Sequence, residues 1–316
     1  MSMEENNKSF YERAKELADA CTVIKENGVY ETLAKEYGIG LRTAGDRFKS
    51  LFGKCVRDYI SEKNTPTREQ MIDAIIKCES SDEVKQYLGL SSYWMVGIYD
   101  KYFGVSTFAK SKVKLLAEKE VVPYNPTIED NLSILLSQKL GDGSFETYDG
   151  RSSIKIEHGE KQYDYLKMKV NILCKAFPNI PTGIGNIRKR VHSNGYVSYV
   201  WRSNNFHCKA MDKAIEMSLA DAVHSLTPFG WCLWYLDDGK LSLTYGVHHL
   251  SIAIHDEDVR NAAVEELKTY GFNFSTQKEC IIISDHIAIA KFINCFVKPF
   301  MHLIPESMHY KCFIKR

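Results

Sequence analysis

Leu226-Thr227-Pro228-Phe229-Gly230-Trp231-Cys232-Leu233-Trp234-Tyr235-Leu236-Asp237-Asp238-Gly239 decides the fold when it is set beside Leu135-Leu136-Ser137-Gln138-Lys139-Leu140-Gly141-Asp142-Gly143. Both stretches read as apolar helices closed by an Asp-Gly pair, and Asp142 and Asp238 stand 96 residues apart. The surrounding chain repeats at the same interval. Strand-like runs at 145–148 and 154–158, a helix at 161–176, strands within 185–202 and a helix at 206–218 follow the first helix. Strands at 241–245 and 249–254, a helix at 257–270, strands at 273–277 and 280–284 and a helix at 287–296 follow the second. The pattern predicts an α+β fold built from a pseudo-two-fold duplicated αββαββα unit with antiparallel sheets.

Two acids at equivalent helix ends have a chemical consequence. Carbonyls without partners leave the C-terminal end of a helix partly negative, and an Asp there adds a full charge. Two such ends side by side would repel unless a cation sits between them, and Mg²⁺ takes carboxylate oxygens plus waters. Asp142 and Asp238 are therefore the primary candidate metal ligands and catalytic acids, with Gly141 and Asp237 beside them as further candidates for the metal site. Asp237 is read as the supporting member of its pair. The Gly after each Asp is expected to leave the helix at positive φ and to let backbones approach. Ser137, Gly141, Gly230 and Cys232 keep the helix faces small, so that the two helices can pack closely.

Composition narrows the partners. The chain has 316 residues and a net charge of +1, yet Arg151 to Lys213 holds 12 Lys/Arg against 4 Asp/Glu, a local +8. Such a block is the electrostatic footprint of a phosphate-backbone binder. No apolar run approaches the ~20 residues that span a bilayer, and the start MSMEENNKSFYER is unlike a signal peptide. Nine dispersed cysteines without a CxxC pair argue for free thiols in a reducing compartment and against a structural zinc site.

Val121 to Thr127, with Pro123 and Pro126, reads as a linker. Upstream, the pattern is helical and repeats weakly at 51 residues. Leu33…Tyr37-Gly38-Ile39…Phe48…Phe52-Gly53 returns as Val84…Leu88-Gly89-Leu90…Tyr99…Phe103-Gly104. Each copy has the layout of a helix-turn-helix DNA reader, whose second helix enters the major groove. The expected domains are 1–63 and 64–122, one such unit each, and 128–316 with halves 128–222 and 223–316. Arg42, Thr43, Arg47 and Lys49 would face DNA in copy one, and Ser91, Ser92, Tyr93 and Trp94 in copy two.

These motifs resemble the LAGLIDADG homing endonucleases of the single-chain, pseudo-dimeric type. The first motif looks like the family's looser "LLGDG" form; the second is close to its "LTP…WYMDDG" pattern. His158-Gly159-Glu160-Lys161-Gln162-Tyr163-Asp164-Tyr165-Leu166-Lys167-Met168-Lys169 is similar to the "H..KQ..YL..K" segment, and Pro305-Glu306-Ser307-Met308-His309-Tyr310-Lys311 to "P.SM.YK". The resemblance covers about 128–316. It implies saddle-shaped sheets along the major groove and cleavage of both strands of a long asymmetric DNA site. It also implies Mg²⁺ (or Mn²⁺ in its place) at Asp142 and Asp238, and a lysine, Lys311, near a scissile phosphate. One departure stands out: the family's "KK.IP" lysine ahead of the second motif is missing, leaving Lys209 or Lys213 as substitutes or one strand cut less efficiently. Lys139, inside the first motif, is expected to snorkel to solvent.

Arg151, Lys155, Arg188, Lys189, Arg190 and Arg202 are the first-half candidates for DNA contact, with Tyr196, Tyr199 and Trp201 among them; Thr276, Gln277 and Lys278 serve the second half. Alternation puts only every second strand residue on the DNA face, so the register stays open. His248-His249 cannot be a metal pair, since strand neighbours point to opposite faces. The reading is a free-standing or intron-encoded nuclease acting on double-stranded DNA as a monomer in a bacterial or phage-infected cytoplasm. An RNA-splicing maturase and a helix-turn-helix transcription regulator on the same fold are the alternatives. Met1 and the ending Ile314-Lys315-Arg316 lack the splicing residues of an intein.

Overall fold

The computed structural model describes residues 3–21, 26–90, 97–148, 151–178, 186–205, 208–244 and 247–312. Its backbone divides into two compact units, Met1–Leu115 and Leu116–Arg316.

The first unit is helical: α1 (Met3–Ala20), α2 (Glu26–Tyr37), α3 (Leu41–Phe52), α4 (Val56–Asn64), α5 (Arg68–Lys77), α6 (Ser81–Leu88) and α7 (Ile98–Phe103), with α8 (Phe108–Glu118) running on across the boundary. Phe10, Leu33, Ala44, Phe48, Val56 and Ile60 bring α1 to α4 around one core. The turn after α2 passes through Gly38 at φ 64° and the turn after α6 through Gly89 at φ 64°, a region only glycine enters freely. Gly53 (φ 69°) and Gly104 (φ 64°), also 51 residues apart, share that conformation as well. Ser91 to Trp94 lie outside the described residues.

The second unit is the duplicated α+β structure, and both halves run helix, two strands, helix, two strands, helix. A 3₁₀ turn (Ile128–Asp130) leads into α9 (Asn131–Leu140), β1 (Gly143–Tyr148), β2 (Arg151–Gly159), α10 (Tyr163–Ala176), β3 (Arg188–Val191), β4 (Val197–Arg202), α11 (Lys209–Glu216) and α12 (Leu219–His224). Then come α13 (Pro228–Asp238), β5 (Gly239–Thr244), β6 (Val247–Ala253), α14 (Glu257–Thr269), β7 (Ser275–Gln277), β8 (Cys280–Ile283), α15 (His286–Phe292) and a 3₁₀ stretch, Glu306–Lys311. The sheets are antiparallel with orders β1-β2-β4-β3 and β5-β6-β8-β7. Their first hairpins share one register: Gly143 opposes Ile156 and Tyr148 opposes Arg151, while Gly239 opposes Ile252 and Thr244 opposes Val247, all offset by 96.

The two apolar helices form the spine of this unit. Phe229 through Asp237 are all buried along α13, as are Ser133 through Gln138 along α9. Thr227 caps α13 by accepting from the Gly230 N–H, and Pro228 occupies the first helical position, where no N–H is needed. Two contacts hold α9 against α13. At the N-terminal end the Ser133 hydroxyl accepts from the Thr227 N–H (2.8 Å), and a Cβ on Gly230 would fall 2.0 Å from Ser133 Oγ. Asp130, 2% exposed, accepts from the Tyr124 and Thr227 hydroxyls and so joins the starts of both helices. At the C-terminal end a Cβ on Gly141 would fall 2.3 Å from Asp237 Oδ2.

The expectation of positive φ after each Asp is corrected. Gly239 is extended (φ −79°, ψ 151°), and neither it nor Gly143 is at positive φ. Space is the reason for glycine there: a Cβ would sit 2.1 Å from Tyr235 Cδ2 at Gly239 and 2.7 Å from Gln138 Cβ at Gly143.

Candidate active site at two helix ends

Asp142 follows α9 and Asp238 ends α13, and the close packing of these helices brings their acids into one electrostatic centre. Asp238 is pushed up to about 7 by burial, then by the Asp237 and Asp142 carboxylates. Asp142 is also raised, by burial and then by Asp237, with Lys169 and Lys311 acting against the shift. Neither carboxylate forms a lysine or arginine ion pair among the described residues. Asp238 Oδ2 accepts from Trp234 Nε1 (3.0 Å), and Asp142 Oδ2 stands 3.4 Å from Nδ1 of His158. Burial, reinforced by the Lys169 charge, lowers His158 to about 4, so that ring is neutral at physiological pH.

Asp237 has a different fate. Its carboxylate is fully buried and takes Lys169 Nζ on both oxygens (2.9 and 2.8 Å), the Tyr165 hydroxyl (2.7 Å) and the Asp142 backbone N–H (3.2 Å). Burial works against its charge, but Lys169, His158 and the Tyr165 hydroxyl together hold the carboxyl below its usual range. Asp142, His158 and Asp237 each offer a donor atom within 4.8 Å of the others. Because both Asp237 oxygens are occupied by an ammonium, its part is to lock the end of α9 onto the end of α13, and it is the weaker metal candidate. For Gly141 the packing role against Asp237 is the one the geometry gives.

Lys311 lies at the end of its 3₁₀ stretch, 6% exposed, and donates to the Leu236 and Asp237 carbonyls at 2.6 and 2.9 Å. Burial lowers its pKa, while Asp237, Asp142 and Asp238 act to raise it. Lys139 overturns its expectation: it does not snorkel. Its ammonium donates to the carbonyls of Ala214, Ile215 and Met217 at 2.9, 2.9 and 2.6 Å, capping the end of α11, where partner-less carbonyls attract a cation. Lys209 and Lys213 are exposed on α11, and no contact joins either to the acids among the described residues.

The sheets divide the candidate contact residues between two faces. On the first, Lys155 opposes Arg202, Arg188 opposes Val200 and Arg190 opposes Ser198, so Lys155, Arg188, Arg190 and Arg202 share the face turned away from the core residues Ile154, Ile156 and Trp201. Lys189 opposes Tyr199 on the other face. Glu157 lies 3.6 Å from both Lys155 and Arg190, and Glu146 pairs with Arg202, so these cations are held in place. Trp201 is fully buried and packs. Arg151 is the first residue of β2. On the second sheet Gln277 opposes Cys280, away from the buried Ile281 and Ile283, while Thr276 faces the other way and Lys278 is in the exposed turn. In the first unit Arg42 is almost fully exposed on α3, but Arg47 is half-buried with its guanidinium 4.3 Å above the Phe10 ring. His248 faces the His286 ring edge-on at 5.3 Å, and among the described residues no group of three metal-ligating side chains includes His248 or His249.

Sequence reasoning did not single out His158, Tyr165, Lys169 or Trp234 as parts of the centre. Tyr165 and Lys169 stand four apart on α10, so they share a face, and a buried lysine demands an acid; that spacing was the available signal. The buried Gln138 Oε1 has no partner at the end of α9. Two desolvated carboxylates, Asp238 raised by burial and then by Asp237 and Asp142, and Asp142 raised by burial and then by Asp237, with no lysine or arginine ion pair among the described residues, form a donor set that suits a divalent cation.

Residues 132–280, just under half of the chain, match the model of the LAGLIDADG DNA endonuclease family. A search of curated proteins found no match. Three solved structures are similar at low identity. The homing endonuclease I-WcaI bound to its DNA recognition sequence is 18% identical, covers 69% of this chain and 98% of its own, and has a TM-score of 0.42. The N-terminal LAGLIDADG domain of DUF199/WhiA is 14% identical, with coverage of 64% and 96% and a TM-score of 0.37. I-DmoI in complex with DNA and Ca is 13% identical, with coverage of 58% and 97% and a TM-score of 0.36. No helix among the described residues is long and apolar enough to cross a membrane.

Proposed function

We propose that this chain, a member of the LAGLIDADG DNA endonuclease family through the match over residues 132–280, is a site-specific homing endonuclease that makes a metal-dependent double-strand break in a long asymmetric DNA target. One observation carries the reading: two helix ends from repeated halves carry Asp142 and Asp238, both desolvated, with Asp142's charge acting on Asp238 and neither in a lysine or arginine ion pair among the described residues.

Asp142 and Asp238 are the residues that would hold Mg²⁺, or Mn²⁺ in its place. A divalent ion there supplies charge neutralisation at the scissile phosphate and a more acidic water. The chain's own groups do the rest. Lys311 has two of its three N–H groups on helix-end carbonyls, which aims the third toward the acids and a phosphate between them. The Asp237–Lys169 pair fixes the spacing of the helix ends. Lys155, Arg188, Arg190 and Arg202 present a cationic face to the DNA backbone, and Gln277 and Lys278 reach it from the second half. In this reading 128–222 and 223–316 each serve one half-site, and the helical segments 1–63 and 64–122 add DNA contacts, Arg42 among them. The protein acts as a monomer.

The test is selection of cut molecules from plasmids that carry a randomised cassette, incubated with Mg²⁺. Double-strand breaks at one sequence, lost in Asp142→Asn and in Asp238→Asn while both variants still bind the selected DNA, support the reading. Tight binding with no cleavage by the wild type refutes it and leaves a binding role.

A further inference from the structure

Each of the two acids has a ring nitrogen against one carboxylate oxygen, and the two rings come from different places in the fold. Trp234 stands one turn before Asp238 on α13, and its Nε1–H donates to Asp238 Oδ2 at 3.0 Å. Along α9, α13 and the hairpins that follow them, equivalent residues are 96 apart, so the position matching Trp234 is Gln138. Gln138 has no contact with Asp142 among the described residues: its Nε2 donates to Ser137 Oγ (3.2 Å), and its Oε1 is buried without a partner. Asp142 is met from the sheet instead. His158, at the end of β2, puts Nδ1 3.4 Å from Asp142 Oδ2, while the matching position after β6 is the buried aliphatic Ile254.

Lys169 decides which His158 nitrogen carries the proton. A lysine ammonium has three N–H groups and accepts nothing. Two go to Asp237 Oδ1 and Oδ2 (2.9 and 2.8 Å), and the third has His158 Nε2 at 3.5 Å. Nε2 is therefore the lone-pair nitrogen, and the ring's single proton sits on Nδ1, the atom against Asp142. A nitrogen that carries a proton cannot ligate a metal, so His158 serves Asp142 as a donor. The ring is also held in place: it is 3% exposed, and the Tyr165 ring, whose hydroxyl is on Asp237, lies 5.0 Å away. The buried Lys169–Asp237 pair thus does more than join two helix ends, since it sets the tautomer of the histidine beside Asp142. A neutral donor on Oδ2 orients a carboxylate without neutralising it. No side-chain donor to either remaining oxygen is present among the described residues.

We propose that His158 and Trp234 are positioning residues, one for each acid, which hold Asp142 and Asp238 through neutral N–H donors so that each acid keeps one oxygen for the cation. This rests on the reading of the two acids as metal-holding residues. Partners that orient a ligand without touching the metal typically change metal affinity by roughly 10- to 100-fold when they are removed.

Two measurements on the full-length chain test it. In ¹⁵N-histidine-labelled protein without metal, the ring nitrogen shifts of His158, assigned through its contact with the Tyr165 ring, should be those of the Nδ1–H tautomer. The Nε2–H tautomer or an imidazolium overturns the proposal, whatever the chain cuts. Mn²⁺ binding, followed by the electron paramagnetic resonance signal of the free ion, should weaken by roughly 10- to 100-fold in His158→Leu and in Trp234→Phe. His158→Asn, whose amide keeps an N–H near the Nδ1 position, should lose much less. Unchanged affinity in Trp234→Phe overturns the proposal even if neither histidine variant folds, because that change keeps a ring in the core and removes only the donor side. Equal losses in His158→Leu and His158→Asn, both shown by urea unfolding to be folded, also overturn it. A wild type that binds no Mn²⁺ removes the metal reading of the acids and the proposal with it. The expected affinity losses without cleavage of any DNA support the proposal and refute only the nuclease reading.

Discussion

Asp238→Asn, studied without metal and without DNA, tests the central electrostatic claim. In the folded chain the Asp238 carboxyl sits at about 7, against 3.8 when unperturbed, because burial and then Asp237 and Asp142 disfavour its charge. From about pH 4 to about 7 the native state therefore keeps a proton that the unfolded chain has released, and stability from this group falls as pH rises. Each pK unit corresponds to about 1.4 kcal/mol, so the ceiling is roughly 4 kcal/mol. The carboxyl is not fully buried and the Trp234 N–H eases its ionisation, so about 2 kcal/mol is the working value. Asn keeps an acceptor for Trp234 but cannot ionise. Urea unfolding in EDTA, followed by tryptophan fluorescence at pH 5 and pH 8, should show the wild type losing about 2 kcal/mol more than the variant over that interval. Mg²⁺ should recover much of that loss at pH 8 in the wild type only, since a ligand of the native state stabilises it by mass action. Parallel pH slopes in the two proteins would refute the claim that these helix ends crowd uncompensated charge.

Lys169→Met should destabilise the second unit by about 3–5 kcal/mol, because Asp237 is left charged and buried, and Lys169→Met with Asp237→Asn should recover most of it; urea midpoints measure both. Gly230→Ala should cost about 1–3 kcal/mol in a thermal melt, since its Cβ would meet Ser133 Oγ at 2.0 Å and Leu226 Cδ2 at 2.9 Å. Arg188→Ala with Arg190→Ala should weaken DNA binding and reduce the slope of log K against log salt by up to about 2, whereas Lys189→Ala, on the opposite face, should change it less.

Much of this architecture was legible in one dimension. Hydrophobic period, the Gly-Asp-Gly and Asp-Asp-Gly stops and the 96-residue interval define the two halves, because helix and strand signals are local and duplication copies them in order. The positive-φ turns at Gly38 and Gly89 belong to the same class. Side-chain pairing is different in kind. Asp237 and Asp238 are neighbours of one chemical type, yet one is neutralised by Lys169 and the other is left strained. That distinction depends on α10 being laid across the ends of α9 and α13, a contact between residues 68 apart in the chain. The face on which Arg188, Arg190 and Arg202 stand, and the turn of Lys139 onto the carbonyls that end α11, were decided in the same way. Sequence determines which residues are available at each helix end and strand. Only the packed structure determines whether a charge meets its opposite, because desolvation and Coulomb energy act through distance in space and not along the chain.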